Sequence, residues 1–316
     1  MEDILDRNLR GMTEAVRRNE ITSVDLVQGF LDRIEKVNSS LNAVVSINTE
    51  IALKLAAKAD SDLKEGIVHG PLHGIPMTIK DSLDTKDMVT TWGTKGRETF
   101  RPGRDATSVA RLRDAGAILL GKTNTPEFTL SFQTDNLVYG RTNNPYNLEM
   151  TPGGSSGGAA ALIAANAIPF DIGTDTGGSI RLPAHFCGIS GLKPTTGRVP
   201  CTGNALPSSG LIAPLSQVGP LARYVDDLDF LMTIIQGPDL MDPHTVDATE
   251  RSSDDIDVTT LRIGFHTDNG IATPALPIQN AILNAISLLK ANGFKVDEAT
   301  PPGIEMASLI YSSLFG

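Results

Sequence analysis

Two glycine-flanked serine sites, Gly153-Gly154-Ser155-Ser156-Gly157-Gly158 and Gly177-Gly178-Ser179, bracket an alanine-rich apolar run. Serine after paired glycines can present its hydroxyl where the backbone comes close to a ligand, because glycine adopts conformations closed to other residues. Consecutive free N–H groups in such turns form anion-binding nests, and a nest beside a hydroxyl can stabilise an oxyanion. One GGS alone reads as a polar loop. Two of them at the ends of a run that suits a buried helix point to paired functional turns.

GGSSGG followed by GTDTGGSIR and then FCGISGLKPT resembles the signature of the amidase signature family of serine hydrolases. The likeness continues upstream through GPLHGIPMTIKDSLDT, DATSVARLRDAGAILLGKTNTPEF and NPYNLEMTPGG, and downstream to LSQVGPLARYVDDLDFLM. It covers roughly residues 20 to 300, and an ordered set of that length is far more specific than any single motif. The resemblance implies an α/β fold with a mixed central β-sheet flanked by helices on both faces. It also implies a catalytic triad of Lys80, Ser155 and Ser179, with Ser179 as nucleophile, and a cis peptide between Gly154 and Ser155. The matching oxyanion donors are the backbone N–H groups of Thr176, Gly177, Gly178 and Ser179. Thr129 falls where some relatives place a substrate-contacting residue, with core packing an equal reading.

Physical chemistry explains why these residue types make a working site. A serine hydroxyl is a weak nucleophile and must pass its proton to a base as it attacks a carbonyl carbon. Lysine serves as that base only when neutral, and burial lowers its pKa by penalising the ammonium. The flank of Lys80, Gly74-Ile75-Pro76-Met77-Thr78-Ile79, is short and mostly apolar, readable as a buried strand that delivers the amine at its end. Ser155 would relay the proton between Ser179 and Lys80. Asp175 and Arg181 flank the nucleophile and can pair to brace its loop rather than take part in the chemistry.

The elements that must hold these residues are legible in outline. Val24, Val27, Leu31 and Ile34 line one face of a helix from Thr22 to Val37, with Thr22 and Asp25 suited to a capping box. A second helix ends at Gly66, and a third, TSVARLRDA, is capped by Asp105 or Thr107 and leads into the strand Ala117-Leu120. Pro169 to Gly173 reads as a buried strand ending near the nucleophile, and Asp226 to Gln236 as a helix. After an acidic connector, GPDLMDPHTVDATERSSDDIDV, a strand, a helix with Ile278, Ile282, Ile286 and Leu289 on one face, and another strand form a βαβ unit. The expected organisation is one domain over 1–316: a helical part (1–65), a catalytic core (66–240) and the start of a C-terminal part (241–316). Relatives continue further, whereas this sequence stops inside the apolar run IEMASLIYSSLFG, so the fold is expected to be truncated at the C-terminus.

Several local patterns imitate other chemistries. Gly116 to Thr123, GAILLGKT, satisfies the P-loop formula, but a strand occupies the place of the loop, which leaves Lys122 and Asn124 to brace a loop near the site. GGSSG fits the nucleophile elbow of α/β-hydrolases, yet NNPYNLEMTP before it is a poor strand. His69 and His73 are four apart with Gly70 and Pro71 between them, which opposes a helical metal pair. Cys187 has apolar flanks typical of a core thiol. No metal or cofactor is expected.

A net charge of -10 argues against nucleic acid or an anionic membrane as partner. Two cysteines and a charged start, MEDILDRNLR, without an apolar segment are the pattern of a cytoplasmic protein. The expected activity is hydrolysis of a small-molecule carboxamide to a carboxylate plus ammonia or an amine through an acyl-enzyme on Ser179, with a homodimer left open. The alternatives are the glutamine-hydrolysing subunit of a tRNA-dependent amidotransferase, which works with partner subunits, and a truncated, non-catalytic member. Those glutaminase relatives usually carry glutamine after SIR and a tyrosine-containing segment after KPT. Here Leu182 and TTGRVPCTGNALP stand in those places, which favours a free-standing amidase.

Overall fold

The architecture was obtained as a computed structural model, which describes residues 2–206, 210, 212–248 and 256–315. Pro207, at the end of the segment after KPT, and residues 249–255 of the acidic connector lie outside the described residues. The chain divides into two compact units, Met1–Ala248 and Thr249–Gly316. This division falls inside the acidic connector.

The first unit opens with helices α1 (Glu2–Leu5), α2 (Leu9–Arg17) and α3 (Ser23–Leu41). Thr22 caps α3, accepting from Asp25 N at 3.0 Å and donating to Asp25 Oδ2 at 2.7 Å. Val27, Leu31 and Ile34 of its predicted face are buried, as is Phe30. Strand β1 (Val44–Ile47), helix α4 (Thr49–Lys64) and strand β2 (Pro76–Lys80) follow. Every residue of β2 is buried, which is what its unbroken apolar run with Thr78 and Lys80 at alternate positions requires.

Helix α5 (Thr107–Asp114) leads into β3 (Ile118–Thr123). Neither expected cap serves it: Ala106 occupies the cap position, Asp105 Oδ1 accepts from Lys86 N at 2.8 Å, and Thr107 Oγ1 donates to Asp239 Oδ2 at 2.5 Å. Tertiary partners outcompete the local cap. β3 runs three residues past Leu120, so Lys122 lies within a fully buried strand and no phosphate loop forms.

Helix α6 (Gly157–Ala164), strand β4 (Phe170–Asp175), helix α7 (Arg181–Cys187), strands β5 (Ser190–Gly191) and β6 (Gln217–Ala222) and helix α8 (Val225–Ile235) complete the unit. The strands form one mixed sheet in the order β1-β3-β2-β4-β6-β5. β2 is parallel to both β3 and β4, while β1, β5 and β6 run antiparallel to their neighbours. Residues from the N-terminal helices, such as Leu9, Met12 and Phe30, share one apolar core with Met77, Ile79, Phe170 and Leu221 of the strands.

The second unit holds β7 (Arg262–Phe265), α9 (Leu276–Ala291), β8 (Lys295–Glu298) and α10 (Ala307–Phe315). β7 and β8 pair in parallel across α9, the βαβ arrangement read from the sequence. Of the expected α9 face only Ile286 is buried.

Candidate active site

The central strands place an amine, two hydroxyls and a glycine-rich turn together. Lys80 ends β2, and its amine donates to Ser155 Oγ at 2.6 Å and to Thr174 Oγ1 of β4 at 2.8 Å. Lys80, Ser155 and Ser156 are fully buried. Burial drives the Lys80 pKa down to about 7, against the pull of Asp175 and Asp171, which favour the ammonium. An ordinary solvated lysine would hold its proton at neutral pH. This one sits at the balance point.

Ser155 lies in the turn before α6, following the cis Gly154–Ser155 peptide. The segment is packed too tightly for any residue but glycine at 154, where a Cβ would meet Phe132 C at 2.7 Å. Ser179 stands in the turn between β4 and α7, 7 % exposed, and its carbonyl accepts from Ser156 N at 3.1 Å, which ties the two serine turns together. Gly178 takes φ +125°, a conformation reserved in practice for glycine, and so turns the chain into Ser179.

Asp175 organises this turn. Its carboxylate accepts from Gly178 N (2.9 Å), Ile180 N (3.1 Å) and Arg181 N (3.2 Å), and from Arg181 Nε (3.0 Å) and NH2 (2.9 Å). Burial alone would raise its pKa, but the Arg181 guanidinium and these amides together hold the carboxyl below the usual range. The brace between Asp175 and Arg181 is thus present, and it commits the Gly178 N–H. Among the described residues the N–H groups of Thr176, Gly177 and Ser179 have no acceptor.

Thr129 is buried, at φ +64° in a short turn beside Phe128. It shares no hydrogen bond with Lys80, Ser155 or Ser179 among the described residues. Lys122 donates to Leu83 O at 2.5 Å and Thr85 Oγ1 at 2.7 Å, and Asn124 donates to Gly140 O and Thr142 Oγ1, both at 3.0 Å, so both brace loops. Burial pushes the Cys187 and Cys201 thiols up to about 12, far from a nucleophilic thiolate. The rings of His69 and His73 stack at 5.5 Å, with His69 Nε2 2.6 Å from Asp62 Oδ2. Sequence reasoning passed over Thr174 and Asp171; three apart on β4, they share no face by strand alternation, so the pattern FDIGTD gave no signal that both lie near Lys80.

A mixed α/β sheet with a buried Lys80–Ser155 hydrogen bond, and Ser179 in the adjoining turn with no hydrogen bond from its hydroxyl to Ser155 among the described residues, carries the parts of a hydrolase that activates serine with lysine. The chain belongs to the amidase family, whose model matches residues 25–315. It is 42% identical over 302 residues to a glutamyl-tRNA(Gln) amidotransferase subunit of Roseiflexus sp. (strain RS-1), covering 94% of this chain and 61% of that protein. The corresponding subunit of Carboxydothermus hydrogenoformans is 38% identical, covering 95% and 62%. Among solved structures, the peptide amidase of Stenotrophomonas maltophilia superposes with a TM-score of 0.87 at 34% identity, covering 98% of this chain and 65% of its own. A fatty acid amide hydrolase gives a TM-score of 0.90 at 28% identity, covering 97% and 55%. The chain spans about three-fifths of the length of the curated relatives it matches.

Proposed function

We propose that this chain hydrolyses a carboxamide to a carboxylate and ammonia or an amine, with Ser179 as nucleophile. The observation that carries the reading is the 2.6 Å hydrogen bond between a fully buried Lys80 amine and Ser155 Oγ. In its neutral form the amine accepts the Ser155 proton while Ser155 takes that of Ser179, whose Oγ attacks the carbonyl carbon. Thr176, Gly177 and Ser179 N–H groups receive the oxyanion, each such donor contributing about 3 kcal/mol to transition-state stabilisation. Collapse of the tetrahedral intermediate expels the amine, which takes its proton back from Lys80 through Ser155, and water repeats the sequence on the acyl-enzyme. Metal and cofactor have no part in these steps, and the location proposed is the cytoplasm.

Two readings of the substrate follow, each with its own support. The printed names of the curated relatives support a glutamine-hydrolysing subunit that works with partner proteins. A free-standing amidase acting on apolar amides is supported by Leu182 at the start of α7 and by the rim of the serine turn. Phe128, Leu130 and Phe132 are exposed on a segment whose backbone packs against Gly154, with Thr134 Oγ1 donating to Gly153 O at 2.9 Å. An apolar rim matches an alkyl or aryl acyl group better than a zwitterionic amino acid. Ammonia release from glutamine, short aliphatic amides and aromatic amides, with the chain alone, tests the reading. The expected result is a kcat/KM for apolar amides about tenfold or more above that for glutamine. Preferred turnover of glutamine only after amidotransferase partner proteins are added would select the second reading, and no hydrolysis of any amide under either condition would reject both.

A further inference from the structure

A second fully buried ionisable group lies beside Lys80 and takes no part in the proton relay. β4 places Asp171 opposite Thr78 of β2, and β2 places Lys80 opposite Thr123 of β3. Thr78 and Lys80, two residues apart on one strand, share a face of the sheet. The Asp171 carboxyl accepts at Oδ2 from Thr78 Oγ1 at 2.6 Å and from Thr123 Oγ1 at 3.0 Å. Its other oxygen, Oδ1, is buried without a hydrogen-bond partner among the described residues. A buried carboxyl oxygen without a partner is costly, so the group calls for a role, and the Lys80 backbone N–H also acts on this carboxyl.

We propose that Asp171 is a positioning residue for the Lys80 amine: it clamps the strands that deliver the lysine through two threonine hydroxyls, and its carboxylate supplies part of the field that holds the proton on the amine. The inference rests on the reading of Lys80 as the base.

Asp175, paired with Arg181, acts on Lys80 with the same sign and more strongly than Asp171 does. Lys122 of β3 acts on Asp171, and Asp81, which follows β2, acts on Lys122 in turn. Helix α6, packed against β2 and β4, contributes only Gly, Ala, Leu and Ile, the residues that α3 buries are uncharged, and β6 is uncharged throughout. Burial raises the Asp171 pKa to about 6, and its ionised form in turn pulls the Lys80 value of about 7 upward. An ionised Asp171 stabilises the Lys80 ammonium. Removing that charge therefore lowers the pH at which the base becomes available.

The test is a 13C NMR titration of the Lys80 ε-carbon in the full chain carrying 13C-lysine, with Lys80→Arg used to assign the signal, read beside the pH profile of fluorophosphonate labelling. For Asp171→Asn the expected Lys80 midpoint falls by about one pH unit, a gain of about fivefold in neutral amine at pH 6. An unchanged midpoint in Asp171→Asn overturns the proposal, whatever happens to the rate. If that variant fails to fold, Thr123→Val serves: it keeps the carboxyl but removes one donor, so Asp171 ionises less near neutrality and the Lys80 midpoint falls by a smaller amount. An unchanged midpoint in Thr123→Val would then count equally against it. Labelling that ignores a shifted NMR midpoint would leave the coupling standing and instead reject Lys80 as the base.

Discussion

At the scale of single residues the account turns on one protonation equilibrium. Because burial lowers the Lys80 pKa to about 7, the neutral amine is absent in acid and dominant above neutrality. Activity is therefore expected to rise with pH through a midpoint near 7 and then level off, which a kcat/KM profile checks. Lys80→Met should reduce turnover by about 10²- to 10⁴-fold, the usual size of a general-base contribution. Thr174→Val removes an acceptor that fixes the amine at 2.8 Å, with an expected loss of about tenfold in kcat and little change in KM. Lys80, Ser155 and Ser179 stood out as candidates because their motifs are ordered along the chain. Asp171 and Thr174 did not, because a short buried strand such as FDIGTD does not announce which of its polar residues face the site and which satisfy the sheet.

Elements were legible where periodicity was strong, and their ends where local chemistry had no competitor. Thr22 caps α3 as its sequence requires. α5 departs from expectation because Asp105 and Thr107 are taken by Lys86, Arg113 and Asp239, contacts that only the folded chain creates. The connector after α8, read as a solvated loop, is likewise tied down where it is described. Arg111 NH1 donates to the carbonyls of Ile235 (2.6 Å), Gln236 (2.7 Å) and Gly237 (2.8 Å), and NH2 to that of Pro238 (2.9 Å). These are the orphan carbonyls of a helix end, satisfied by one guanidinium. Arg111→Ala should cost about 1.5–3 kcal/mol in denaturant unfolding, and Arg111→Lys should recover little, since an ammonium cannot span the same fan of acceptors.

For the molecule as a whole, the resemblance implied a mixed sheet between helices, and burial separates the interior strands from the edges: β2, β3, β4 and β6 are buried along their entire length, whereas β1 and β5 at the edges are not. The division at 248/249 was less visible, because an acidic loop inside a domain and a connector between units have the same composition. Every partner named for Lys80, Ser155 and Ser179 lies in the first unit. A chain ending at Ala248 is accordingly expected to unfold cooperatively and to keep the depressed Lys80 pKa, which circular dichroism and the same NMR titration would establish.

The most direct measurement is intact-mass and peptide mass spectrometry after fluorophosphonate treatment at pH 8. The account predicts a single adduct on Ser179, lost in Ser179→Ala and strongly slowed in Lys80→Met. An adduct that persists in Ser179→Ala, or one that forms equally fast without the Lys80 amine, would contradict it.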